Sequence, residues 1–176
     1  MKNQNGYKIR RLIAYAIDWY LYSIILIAFN AIFARINGVE STIFMTLELY
    51  SLPQAITCFI LMLLLHFVYF VLIPYHFGGQ SVGKKITKLK IVSNNGDKVS
   101  VRQLFIREFI GIILVEGYLS VTNGYFRTLL GMISPQTRIL SIGWFIISGL
   151  SSSCALYSKE SKMFHDYIGK TKVINI

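Results

Sequence analysis

The sequence predicts an all-α membrane protein with about four transmembrane helices and a small cytoplasmic β-hairpin. Of its 176 residues, 54% are hydrophobic and only 15% are charged, against about 25% charged in an average soluble domain. The apolar residues also form long runs that are separated by basic stretches. A soluble core could not cover so much apolar surface, and the length fits a single domain over residues 1–176.

The first two spans are predicted at residues 12–34 and 53–73. Asp18 is the only charge in the first run, and a helix of this length can cross a hydrocarbon core about 30 Å thick. Pro53 suits the first turn of a helix. The second span carries no formal charge and is expected to end at Pro74 and the glycines that follow it.

Residues 75–102 are predicted to form a basic loop that carries the hairpin. Residues 88–92 alternate polar and apolar side chains, as a strand does. Residues 94–97 supply turn-forming side chains, and 99–101 alternate again. This pattern favours a two-stranded hairpin on the membrane surface.

The third and fourth spans are predicted at residues 103–121 and 138–157. The third contains Arg107, Glu108 and Glu116, so its charges should face protein or water. The fourth is rich in glycine and serine, which allow transmembrane helices to approach closely.

The apolar stretch 126–133 lies between these two spans. Asn123, Gly124, Ser134 and Pro135 flank it as irregular connections. The stretch is therefore open to two interpretations, as an interfacial helix or as part of a span.

The distribution of basic residues predicts that both termini and the central loop are cytoplasmic. The chain holds 18 Lys and Arg, and cytoplasmic loops carry these residues in excess. Only Arg35, Arg127 and Arg138 fall on the opposite side. The cytoplasmic residues, from N-terminus to tail, are Lys2, Lys8, Arg10, Arg11, Lys84, Lys85, Lys88, Lys90, Lys98, Arg102, Arg107, Lys159, Lys162, Lys170 and Lys172. This asymmetry requires an even number of spans.

The net charge of +10 points to anionic lipid headgroups of the bilayer as the partner. A nucleic-acid reader would gather its basic residues on one folded polar face, whereas here they lie between apolar runs. No nucleic-acid partner is therefore predicted.

No cofactor, metal or enzymatic activity is predicted either. Cys58 and Cys154 lack the spacing of a metal site or a disulfide framework. The three histidines are scattered along the chain, and no nucleophile and base are paired by spacing. An enzyme would need Glu108, Glu116 and His66 to converge, and nothing in their spacing indicates that they do.

Arg11, Asp18 and Asp166 are the charges of greatest interest. Arg11 and Asp18 share one face of the first helix, and a carboxylate inside a membrane costs about 2.5–3.5 kcal/mol. Asp18 therefore either fixes helix packing or is a titratable site with a partner. An antiparallel bundle returns the tail to the start of span one, so Asp166 is predicted to contact Arg11. His165 is interpreted as a surface or packing residue rather than a proton relay.

The glycine-rich segment 78–85 resembles a phosphate-binding loop, but it fails the required pattern. Such a loop ends in Gly-Lys followed by Ser or Thr, after a strand and before a helix. Here a second lysine follows Lys84, and a membrane span precedes the segment. The glycines are expected to allow a tight turn, with Lys84 and Lys85 near lipid phosphates.

Taken together, four motifs along nearly the whole chain resemble the RDD family of membrane proteins. They are Arg11-Leu12-Ile13-Ala14 with Asp18, Gly79-Gln80-Ser81-Val82-Gly83-Lys84 before Leu89-Lys90-Ile91-Val92, Arg107-Glu108, and His165-Asp166 with Gly169 and Thr171. The resemblance implies that Arg11, Asp18 and Asp166 are the signature charges, with Arg107, Glu108 and His165 as supporting residues. The loop motif carries over to Gly79, Gly83 and Lys84. Two positions depart from the family: Lys162 replaces a frequent arginine, and Ser81 replaces the usual threonine.

The resemblance implies a multi-pass protein of the cytoplasmic membrane of a prokaryote, for which cation/proton antiport has been proposed in some members. Two functions follow as hypotheses. The first is a small transporter or transport subunit that uses the Arg/Asp network and assembles as an oligomer, because four spans build little wall for a pathway. The second is an accessory protein that binds a membrane partner or lipid, in which the same charges are structural.

Overall fold

A computed structural model of the chain describes residues 4–40, 46–158 and 161–176. The chain is mostly helical, with one two-stranded antiparallel sheet. Lys2 and Lys159, which entered the count of basic residues, lie outside the described residues.

Three helices in the described parts of the chain are long and apolar enough to cross a membrane. They are Gly6–Ile36, Leu52–His76 and Pro135–Tyr157. The first lies within α1 (Gln4–Ile36). The second consists of α2 (Leu52–Phe67), a π-helical segment (Val68–Leu72) and α3 (Ile73–His76). The third consists of a 3-10 turn (Pro135–Ile139) and α7 (Leu140–Tyr157). These helices coincide with the predicted spans one, two and four.

Ser51 is the residue before α2 and caps its start. Gln54 reaches back to the backbone N–H of Ser51 at 3.1 Å, and Pro53 occupies the first turn, where its missing N–H costs nothing. The helix therefore begins within a residue of the predicted position.

The predicted third span at 103–121 is not among these three helices. Its residues form α5 (Val101–Phe105), a π-helical segment (Ile106–Glu116) and a 3-10 turn (Gly117–Leu119). Arg107, Glu108 and Glu116 in this stretch are all buried against protein. A Cβ at Gly117 would lie 2.2 Å from the carbonyl oxygen of Ile112 and 2.8 Å from Asn123 Cβ, so a glycine is needed where the π-helical segment ends. Charge and this helix end explain why the stretch lacks the character of a simple apolar helix.

The stretch 126–133 lies in α6 (Val121–Ile133), which packs against α2. The rings of Phe126 and Phe59 stack with centroids 5.8 Å apart. Leu129 joins the buried core formed by α1, α2 and the turn at Leu47–Leu49. The stretch therefore belongs to the helix bundle.

The predicted hairpin is wrong in its pairing. β1 (Leu89–Ser93) pairs antiparallel with the C-terminal β2 (Thr171–Asn175), so Ile91 lies opposite Val173. Residues 99–101 contribute no strand, because Ser100 caps α5 by accepting a hydrogen bond from the backbone N–H of Gln103 at 3.2 Å. On the predicted hairpin's other side, the structure shows one isolated bridge, from Val92 to Lys98, which lies just before residues 99–101.

This pairing brings the end of the chain back to its middle. The expected polar tail contains α8 (Phe164–Ile168) as well as β2. A second buried cluster links the sheet to α1 and α5, and its members are Ala14, Val71, Leu89, Ile91, Val99, Leu104 and Val173. The N-terminal half of α1, the central loop and the C-terminal segment therefore meet at one end of the bundle.

Candidate functional site

Asp166 is the best satisfied charge at this end of the bundle. Its side chain is completely buried and lies 2.8 Å from Arg11 Nη2, so the predicted contact between opposite ends of the sequence is present. It also accepts from Arg107 Nη1 and from the backbone N–H of Met163 at 3.0 Å. The carboxylate thus joins α1, the π-helical segment Ile106–Glu116 and the start of α8.

The environment keeps Asp166 ionised. Burial alone would raise the pKa of this carboxyl, but the guanidinium groups of Arg107 and Arg11 outweigh that effect and hold the pKa well below its usual range. Asp166 is therefore a fixed negative charge at neutral pH.

Arg107 connects four other side chains from the buried interior. Nε donates to Glu108 Oε1 at 3.2 Å, Nη1 donates to Asp166 and to Thr171 Oγ1 at 3.1 Å, and Nη2 contacts His165 Nε2 at 2.8 Å. The planar fork of a guanidinium can serve several acceptors at once. Arg107 is therefore the central residue of the site rather than a supporting one.

His165 is buried and bonded through both ring nitrogens. A guanidinium only donates, so Nε2 accepts from Arg107 and the ring proton lies on Nδ1. Nδ1 then donates to Glu116 Oε2 at 2.8 Å, and the backbone N–H of His165 also donates to Glu116. Gly111 makes room, because a Cβ there would lie 2.6 Å from His165 Cβ. His165 is a neutral packing residue of the interior and does not lie at the surface.

Asp18 forms a second buried site, with the glycine-rich loop rather than with Arg11. Oδ1 accepts from the backbone N–H of Gly83 at 2.8 Å and from Tyr69 at 3.2 Å. Oδ2 accepts from Ser81 at 2.5 Å and lies 3.7 Å from Lys84 Nζ. The carboxylate in span one therefore anchors the loop to α1.

Glycines are needed where this loop approaches other backbone. Gly79 has φ +92°, and a Cβ there would lie 2.0 Å from the carbonyl oxygen of Ile91. A Cβ on Gly83, which lies in α4 (Val82–Ile86), would be 2.2 Å from the carbonyl oxygen of Ala14. The predicted tight turn is present. Lys84, however, points to Asp18 instead of lying free for lipid phosphates, because the loop docks on α1.

The Asp18 site and the Arg107 site are electrostatically one cluster. Burial lowers the pKa of Lys84, Asp18 opposes this effect, and the charges of Arg107 and Glu108 also act on the amine. The contacts between described residues join four carboxylates, Asp18, Glu108, Glu116 and Asp166, and three cationic side chains, Arg11, Lys84 and Arg107. These seven groups together carry a formal charge of −1.

Glu108 is the carboxylate whose environment is incomplete. Arg107 binds its Oε1, but Oε2 faces His66 Nε2 at 3.9 Å, too far for a hydrogen bond. His66 in turn contacts Thr122 through Nδ1 at 3.0 Å.

The sequence motifs did not reveal His66, Tyr69 or Glu116 as members of the site, because these residues lie inside apolar runs without a recognisable spacing.

Two grooves in the described parts of the chain are lined by residues outside this cluster. A groove of about 800 Å³ is lined by residues of α1, α6 and the connections around them, including Trp19, Arg127 and Arg138. A second groove of about 760 Å³ lies beside Cys154 and Phe164. In the parts of the chain that the structure describes, no three His, Cys, Asp or Glu side chains are grouped as metal ligands.

Apolar helices of membrane-spanning length and a buried cluster of charges at one end of the bundle define a helical membrane protein. Residues 8–170 match the RDD family, and the chain belongs to that family. It is similar to a protein of Bacillus subtilis (strain 168) named "Uncharacterized protein YxaI", with 31% identity over 152 residues that cover 80% of this chain and 99% of that protein. No solved structure matches the chain.

Proposed function

We propose that this protein is a small multi-pass transporter or transport subunit of the cation/proton exchange class in the cytoplasmic membrane of a prokaryote. One observation carries the proposal: the buried cluster contains one more carboxylate than cationic side chains. A buried uncompensated charge is costly. The cluster is stabilised by one additional positive charge, which a proton or a monovalent cation can supply in turn.

Four crossings place this cluster near the cytoplasmic face, with both termini on that side. The missing crossing is supplied by residues 101–133, which run along α2 in two pieces. Phe105 and Phe109 pack near Phe67 at one end, while Phe126 stacks on Phe59 nearer the other. Broken helices are typical of transporters at the depth where ions bind.

The signature charges hold this arrangement together, and exchange takes place at Glu108. Asp166 and Asp18 each have three hydrogen-bond donors and a cationic neighbour, so neither is free to change partners. Glu108 Oε1 is bound by Arg107, whereas Oε2 faces His66 Nε2 at 3.9 Å, and Oε2 is the place where a proton or cation improves the balance of charge.

Ion-driven proton exchange in proteoliposomes tests the proposal. A pH-sensitive dye inside the vesicles reports proton flux after addition of Na⁺, K⁺ or Li⁺. We expect exchange with the wild type and its loss in Glu108→Gln, while Glu48→Gln, which changes an exposed glutamate outside the cluster, keeps it. Absence of exchange by the purified wild type with all three cations contradicts the proposal.

Assembly into an oligomer would supply the walls that four crossings lack. In α7, Ser151 is the only buried residue, and a Cβ added at Gly143 or Gly149 would meet no atom within 4 Å. The exposed surface of α7 is therefore open to close packing with a second copy.

The same exposed surface also favours the alternative function, that of a non-transporting accessory protein which binds another membrane protein or lipid. In that case Arg11, Asp18 and Asp166 only tie the chain together. Glu108→Gln distinguishes the two functions: the accessory role predicts a change in protein accumulation alone, whereas the transporter predicts loss of exchange per folded molecule. Glu108→Gln protein that accumulates normally but loses the exchange of the wild type contradicts the accessory role.

A further inference from the structure

His66 and Glu108 face each other in the protein interior without a hydrogen bond. His66 in α2 is 2% exposed and Glu108 in the π-helical segment is 4% exposed. His66 Nε2 lies 3.9 Å from Glu108 Oε2, and this nitrogen has no hydrogen-bond partner among the described residues. A buried polar atom without a partner is rare and requires an explanation.

Three linked contacts determine which ring nitrogen of His66 carries the proton. The carbonyl oxygen of Met62 can only accept, so the Tyr22 hydroxyl donates to it at 3.3 Å. Tyr22 therefore accepts from the Thr122 hydroxyl at 3.3 Å. Thr122 has then used its one proton and accepts from His66 Nδ1 at 3.0 Å. Neutral His66 carries its proton on Nδ1 and presents a bare lone pair at Nε2.

A bare Nε2 opposite a carboxylate oxygen is a contact between two acceptors. Glu108 Oε1 is already bound by Arg107, so Oε2 is the oxygen that remains. One added proton converts this contact into an imidazolium–carboxylate pair or into a hydrogen bond from a neutral acid. The same proton removes the excess negative charge of the cluster.

We propose that His66 Nε2 and Glu108 Oε2 together form the site of one exchangeable proton. Release of the proton leaves Glu108 charged opposite a bare nitrogen, and this is the state that attracts a cation. As a step of exchange, the assignment rests on the proposed function. As a statement of where the proton lies, it rests on the hydrogen bonds alone.

The surroundings suit a site that holds a proton and excludes water. The rings of Tyr22, Phe70 and Phe109 lie 5.5, 4.7 and 5.6 Å from the His66 ring. Tyr22 is the titratable group among these rings. The charged groups that act on Glu108 are Arg107 and Lys84, together with His165 when that ring is protonated.

The test is nitrogen-15 NMR of the full chain, labelled at histidine, in lipid bilayers. The sequence has three histidines, and loss of one set of signals in His66→Gln assigns those of His66. In the wild type we expect Nδ1 to be protonated and Nε2 to be protonated or strongly hydrogen-bonded at neutral pH, with one step of change at higher pH. In Glu108→Gln the His66 ring should stay neutral over the whole pH range of the titration. The matched Glu48→Gln should behave as the wild type.

A second variant tests the chain of hydrogen bonds from Tyr22 to His66 without a substitution at His66 or Glu108. Thr122→Val keeps the shape of the side chain but removes the acceptor for Nδ1. The ring is then free to move its proton to Nε2 and donate to Glu108, so no extra proton is needed. We expect neutral His66 with Nε2 protonated and loss of the pH-dependent step, in protein that remains folded by circular dichroism.

Two results would overturn the assignment. One is wild-type His66 that stays neutral with an unbonded Nε2 between about pH 5 and 8, the range in which histidine ordinarily titrates. The other is a Glu108→Gln spectrum identical to that of the wild type. If the NMR results agree with expectation but the proteoliposomes show no exchange, the proton site stands and the transport function is wrong.

Discussion

Replacing Asp166 by alanine should unfold the C-terminal segment from the bundle. The carboxylate is fully buried and binds both Arg11 and Arg107, so the substitution leaves Arg107 buried without its main counter-charge. Breaking a buried ion pair from one side costs about 3–5 kcal/mol. Loss of the hydrogen bond to the Met163 N–H at the start of α8 adds about 1 kcal/mol. This sum is a large part of the roughly 5–15 kcal/mol that stabilises a typical protein.

The assay is size-exclusion chromatography of the detergent-solubilised protein, combined with limited proteolysis of residues 161–176. We expect little monodisperse Asp166→Ala protein and rapid cleavage in that segment. Asp97→Ala, which removes an exposed acid in a turn, is the matched control and should behave as the wild type. Wild-type accumulation and protease resistance of Asp166→Ala would refute the role of Asp166 as a buried tether.

Further predictions concern the loop, acidic pH and the sheet. Gly83→Ala should cost about 1–3 kcal/mol, because its Cβ would collide with the backbone of α1, whereas Gly143→Ala in open space should not lower the melting temperature. The pKa of Asp166 is depressed in the folded protein, so its contribution to the free energy of unfolding is present above about pH 4 and is lost as the pH falls through the folded-state pKa. The melting temperature should therefore fall less steeply with decreasing pH in Asp166→Asn than in the wild type. Deletion of residues 171–176 should destabilise the protein by exposing the apolar side chains of β1, whereas Asn95→Ser at an exposed position of the turn should be neutral by the same melts.

The sequence was most informative where physical constraints are local. The apolar runs and Pro53 located three long helices, since length and hydropathy alone decide which segments suit a membrane. The charge rule and an antiparallel bundle led to the contact between Arg11 and Asp166, which are 155 positions apart. That contact is present because both residues lie at chain segments that meet at the same end of the bundle.

The sequence was misleading where a local pattern has two uses. Residues 99–101 alternate as a strand does, but Ser100 and Gln103 also form a helix cap, and the cap prevails. β1 then takes its partner from the end of the chain, a choice that depends on tertiary folding and not on the nearest turn. The membership of His66 and Glu116 in the cluster was likewise unpredictable, because each depends on packing between helices distant in sequence.

The buried carboxylates of this protein differ in how completely hydrogen-bond donors surround their two oxygens, and this difference separates their roles. Every oxygen of Asp18 and Asp166 has a donor supplied by another segment of the chain, so moving a proton or ion there would require the fold to open. Glu108 differs because its Oε2 faces His66 Nε2 at 3.9 Å, and that nitrogen has no hydrogen-bond partner among the described residues. A proton can arrive at or leave this contact with little rearrangement of the surrounding helices. Arg11, Asp18 and Asp166 therefore connect segments of the chain, and in the function that we propose Glu108 and His66 are the pair suited to proton exchange.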